Sequence, residues 1–65
     1  MTPEEKADEI YVGFWYLTND SRIAKNCALV AVDEILWLFN ELDHFNDVDS
    51  EMYFYNEVRE EIEKL

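Results

Sequence analysis

An all-α fold, a small three-helix bundle with a long central helix, is predicted by three features of this chain. Apolar residues recur at intervals of three and four through most of its 65 residues, which is helical spacing. It has one glycine and one proline, too little punctuation for many short strands. It is 49% hydrophobic despite a net charge of −11, so it has the apolar half that disordered acidic tails lack. One domain, residues 1–65, is expected, with helices over about 3–17, 21–42 and 50–65.

The first helix is signalled by Thr2-Pro3-Glu4-Glu5. Thr2 can cap, Pro3 suits the first helical position, and Glu5 completes a capping box. Ala7, Ile10, Phe14 and Leu17 then form its expected inner stripe, and Gly13 weakens the helix unless a neighbouring backbone needs the space. Thr18-Asn19-Asp20-Ser21 is a cluster of turn and cap formers that should end this helix and cap the next.

The second helix, from about Ser21 to Leu42, contains neither Gly nor Pro. Ala24, Ala28, Ala31, Ile35, Leu38 and Leu42 make its expected inner stripe, with Cys27, Leu29, Val32, Leu36 and Phe39 widening the apolar arc. Stepping about 100° per residue puts Val30 and Trp37 in the sector that holds Asn26, Asp33, Glu34, Asn40 and Glu41. An indole set among carboxylates is the first candidate for partner binding.

Asp43 to Ser50 is polar and aperiodic, and is expected to be a loop ending in a helix cap at Asp49 or Ser50. The third helix follows, with Tyr55, Val58, Ile62 and Leu65 as its inner stripe and Glu57, Glu60, Glu61 and Glu63 mostly outside. Met52-Tyr53-Phe54-Tyr55 is apolar at every position, more than one helix face can hide.

Composition excludes several functions. Residues 33–65 carry eleven acids against two bases, an asymmetry that repels phosphate and opposes direct nucleic-acid binding. Asp47, Asp49 and Glu51 alternate like the first calcium ligands of an EF-hand, but Met52 stands where its glycine is required and Val58 where its glutamate is. His44 and Cys27, the only histidine and cysteine, are too few for a zinc site of His and Cys. Cys27, mid-helix among Leu and Val, reads as an inert thiol. No glycine-rich phosphate loop and no nucleophile, base and orienting group can be assembled, so neither catalysis nor a cofactor or metal is expected.

A lone cysteine, no secretory leader in residues 1–9 and no apolar stretch long enough for a bilayer lead to the expectation of a soluble cytoplasmic protein. What remains is binding. Helix-borne carboxylates about 5–6 Å apart imitate a polyanion and are steered toward basic clefts. Trp15, Tyr16, Trp37, Tyr53, Phe54 and Tyr55 exceed what a small bundle can enclose, and Trp and Tyr are common interface anchors. The expected partner-binding set is therefore Asp33, Glu34, Trp37 and Glu41 with Tyr53, Tyr55, Glu57, Glu60 and Glu61.

Three segments also carry a resemblance: Thr2 to Ala7, Ala24 to Ile35 and Tyr55 to Leu65. They resemble the signature blocks of very short acidic proteins of tailed phages and prophages of Bacteroidota. Cys27-Ala28-Leu29-Val30-Ala31-Val32-Asp33-Glu34-Ile35 is the most specific block. The likeness spans nearly the whole chain and departs in the tryptophans and in residues 44–51. Most members of that group have no assigned activity, but related small acidic proteins include inhibitors of CRISPR effectors, among them type VI-B RNA-guided RNases.

The resemblance implies a phage setting, a host bacterial cytoplasm and an anti-CRISPR protein that inhibits a basic RNA-guided nuclease. The alternative is a helical module that self-associates or regulates another complex, without a nuclease target.

Overall fold

A computed structural model describes residues 1–42 and 48–65. The described residues form three helices, α1 (Pro3–Thr18), α2 (Ser21–Leu42) and α3 (Asp49–Glu63), each packed against the other two in one bundle. The expected all-α three-helix architecture is therefore found. His44 and the start of the calcium-like spacing at Asp47 lie outside the described residues.

The start of α1 follows its sequence signal. The backbone N–H of Glu5 donates to Thr2 Oγ1 at 3.1 Å, while the N–H of Thr2 donates to Glu5 Oε1 at 2.8 Å. These two bonds satisfy donors that a helix start otherwise leaves open. The bond to Glu5 Oε1 favours the charged carboxylate, and Thr2, first through its backbone N–H and then through its hydroxyl, holds Glu5 below the usual carboxylate range.

A two-residue turn joins α1 to α2. Asn19 takes the left-handed conformation, φ 53°, which asparagine tolerates better than most residues, and its N–H donates to the Trp15 carbonyl at 2.7 Å. Asp20 then caps α2, its Oδ1 accepting from the Ile23 N–H at 3.0 Å.

Among the described residues, the fully buried ones are alanines and β-branched aliphatics: Ala7 from α1, Ala24, Ala28 and Val32 from α2, Val58 and Ile62 from α3. Ile10, Phe14, Leu29, Leu36, Phe54 and Tyr55 pack around the central cluster half-buried. On α2 the innermost positions thus step by four, whereas the predicted stripe passed through Ala31 and Ile35, which are only half-buried, to Leu38 and Leu42, which are exposed. The reason is that the buried arc of α2 is turned toward its Leu29 and Leu36 flank, where α3 packs. Leu17 and Leu65 are likewise exposed; Leu65 lies beyond the end of α3.

The third helix begins one residue earlier than predicted and ends two earlier. Neither Asp49 nor Ser50 caps it: Val48 occupies that position with no side-chain hydrogen bond, and Asp49 and Glu51 instead sit in the first turn. Carboxylates there are favoured by the positive end of the helix dipole.

Gly13 is exposed, its φ is not positive, and a Cβ built on it would meet nothing within 4 Å. No neighbouring backbone needs the space. Gly13→Ala is therefore expected to raise stability by about 0.5–1 kcal/mol, read as a higher denaturant midpoint at unchanged slope. A pH series tests the capping box. Because the folded-state pKa of Glu5 is depressed, its stabilisation is complete above the unfolded value and is lost as pH falls through the folded one. The start of α1 should lose amide-exchange protection in acid, and Glu5→Gln should flatten that part of the profile.

Candidate partner-binding surface

The helices divide the predicted residues into two groups. On α2, Glu34, Trp37 and Glu41 follow at intervals of three and four, so they share one outward ridge. Trp37 is 60% exposed, and Glu34 and Glu41 are exposed and form no hydrogen bond or salt bridge among the described residues. On α3, Tyr53, Glu57 and Glu60 share a second ridge by the same spacing. Tyr53 is 74% exposed, and Glu57 and Glu60 also lack such partners among the described residues.

The two ridges are not continuous. Arg59 Nε donates to Asp33 Oδ1 at 2.7 Å, and Arg59 Nη1 donates to Glu63 Oε1 one turn along α3. Lys25 Nζ donates to the Glu63 carbonyl at 2.8 Å, closing the same seam further along. These links place α3 against the Asp33 flank of α2 and run the two helices antiparallel. Stepping about 100° either way from buried Val58 puts Arg59 on the flank facing α2 and Glu57 on the opposite one. Asp33 therefore belongs to a neutralised seam, while Glu57 looks away from it.

Two more predicted residues are structurally engaged. Tyr55 is half-buried, its ring 5.7 Å from that of Phe39 and 5.2 Å, edge-on, from that of Phe54. It completes the core more than it offers a surface. Glu61 is half-buried and pairs with Lys64 Nζ at 3.0 Å, a contact that raises the lysine pKa.

One feature exceeds the prediction. Ile23, Val30 and Trp37, seven residues apart, form a single apolar stripe along the outside of α2, 49%, 62% and 60% exposed. Beside it a shallow groove is lined by Phe14, Ile23, Asn26, Cys27, Val30 and Ala31. A second groove, between α1 and α2, takes in Ile10, Gly13 and Leu17, the last 81% exposed. The signal was present in the shared sector of Val30 and Trp37; Ile23 completes it two turns before Val30.

Among the described residues, no group of three or more His, Cys, Asp or Glu could hold a metal ion, and no helix is long and apolar enough to cross a membrane. Cys27 is a half-buried free thiol on the groove wall.

Arg59 is the one cation that bridges α2 and α3 through side-chain carboxylates among the described residues. Its side chain is 37% exposed, so solvent screening limits what the pairs contribute. Arg59→Gln is expected to lower stability by about 0.5–1 kcal/mol at low salt and by less at high salt, checked by urea unfolding at two ionic strengths.

No family model matches this chain, and neither does any curated protein or solved structure.

Proposed function

We propose that this chain is a non-catalytic binding protein whose α3 ridge docks on a basic protein surface that otherwise handles nucleic acid. The observation that carries the reading is the state of Glu57 and Glu60. Both are exposed, neither has a hydrogen-bond or salt-bridge partner among the described residues, and they follow exposed Tyr53 along one ridge, Glu57 one turn and Glu60 two turns from it. Their helix is held in place by fully buried Val58 and Ile62.

Such an arrangement is preorganised. Two carboxylates already positioned on a folded helix avoid the ordering cost that a disordered acidic tail meets on binding. The remaining charge favours encounter: the field of a strongly anionic chain raises its association rate with a cationic cleft, and that rate falls with added salt. Tyr53 supplies an amphipathic anchor beside the charges.

The sequence resemblance supplies a candidate for the basic partner, an RNA-guided nuclease of the type VI-B class met in the cytoplasm of a bacterial host. On this reading the protein is an anti-CRISPR inhibitor that occupies the nuclease surface used by RNA.

Titration into a type VI-B cleavage assay tests the target directly. Loss of target-RNA cleavage and co-elution with the nuclease are expected; full cleavage at saturating protein with no complex on size exclusion would exclude that nuclease. The chemistry of docking has its own test. Glu57→Gln together with Glu60→Gln should weaken the complex about tenfold or more with helicity retained. Glu61→Gln, whose carboxylate is already paired, should have less effect.

A further inference from the structure

We propose that the groove between α1 and α2 receives an amphipathic helix of a partner protein, apolar on the side that enters and basic along its edge. This goes beyond the docking of α3 and rests on different residues.

Gly13 is the first observation. It is the one glycine of the chain and lies well inside α1, where it weakens the helix relative to alanine. Nothing within the fold calls for it: its φ is not positive, and a Cβ there would meet no atom within 4 Å. Yet Gly13 lines the groove, and the space that a side chain would fill is left open on it. A helix bare at one position lets an outside backbone come close.

The shape of the apolar surface points to a helix. Ile10 and Leu17 stand one turn to either side of Gly13 on α1, and Ala31 and Ile35 line the same groove from α2. Exposed Leu38 continues the α2 wall at its next turn. Each wall is thus about two turns long. The groove volume, about 420 Å³, is in the range of small-molecule pockets. Such pockets bury most of their ligand, however, whereas Leu17 stands exposed on this wall. An open trough between two helices is suited to the apolar face of a third.

Charge defines the edge of that helix. Glu34 follows Ala31 by three residues and precedes Leu38 by four, and Glu41 follows Leu38 by three, so both border the α2 wall. Both are exposed and without a hydrogen-bond or salt-bridge partner among the described residues. The cation on the groove wall, Lys6, is held by Glu9 at 3.2 Å. An incoming helix therefore brings Lys or Arg to Glu34 and Glu41, and an acidic one is repelled.

A synthetic helical peptide of leucine and lysine, with leucines at intervals of three and four, tests the proposal against the labelled full chain. It should bind saturably and perturb the amides of Ile10, Gly13, Leu17 and Ile35. A peptide of the same composition with leucine and lysine alternating, which has strand periodicity, should bind about tenfold more weakly or less.

Gly13→Leu fills the groove from its own wall with a stronger helix former. It should weaken the helical peptide about tenfold or more while the denaturant midpoint stays level or rises. Leu17→Ser, at a side chain exposed in the free chain, provides a second readout should that variant unfold, with a loss of about tenfold. Glu57→Gln with Glu60→Gln should leave the peptide affinity within about threefold, so this reading and the docking of α3 can fail separately.

No saturable binding, equal binding of the alternating peptide, full affinity in Gly13→Leu or Leu17→Ser, or perturbations centred on α3 would overturn the proposal. Shifts of the groove amides with protein concentration alone would give the groove to a second copy and overturn it likewise.

Discussion

The size of the side chains at the centre governs this molecule. Among the described residues, three of the six that are fully buried are alanines, one on α1 and two on α2, and the largest side chain wholly enclosed is Ile62. Small residues let helix axes approach closely, and close axes leave no volume between them for rings. Trp15, Tyr16, Trp37 and Tyr53 are thereby kept at the surface with Leu17, Val30 and Leu38. The outward apolar surface is the geometric consequence of a tight, alanine-lined core. A chain this short has little interior to gain by enlarging it.

Charge is partitioned by the same packing. Of the five Lys and Arg residues, Lys6 pairs with Glu9, Lys64 with Glu61, Arg59 with Asp33 and Glu63, and Lys25 binds the Glu63 carbonyl. Four of the five cations are thus used within the fold, on one helix or along the α2 and α3 seam, while Glu34, Glu41, Glu57 and Glu60 lie on outward ridges. Each ridge also carries an exposed aromatic, Trp37 on α2 and Tyr53 on α3. What differs is the company: Trp37 continues an aliphatic stripe, while Tyr53 shares its ridge with Glu57 and Glu60.

Local signals were read well because their chemistry is local. The capping box at Thr2 and Glu5, the turn at Asn19 and Asp20 and the start of α2 at Ser21 depend on residues within four positions of each other. The exposure of Trp37 was legible for a related reason, since its helical sector contains three carboxylates. Other features turn on tertiary placement. Leu38 and Leu42 continue an apolar stripe in the sequence, yet α3 packs on the other flank of α2 and leaves them exposed. Tyr55 belongs both to the expected inner stripe and to the expected partner-binding set, and its ring contacts with Phe39 and Phe54 decide for the first. The single acidic face inferred from residues 33–65 is divided into two ridges by the seam in which Arg59 binds Asp33, a contact 26 positions apart that spacing along one helix cannot show.

Amide chemical-shift mapping of the labelled full chain tests most directly whether the α3 ridge is the docking surface. Adding polylysine at fixed protein concentration should perturb α3 at Tyr53, Glu57 and Glu60. Perturbations centred on α2 or spread evenly over the chain would contradict the proposed docking.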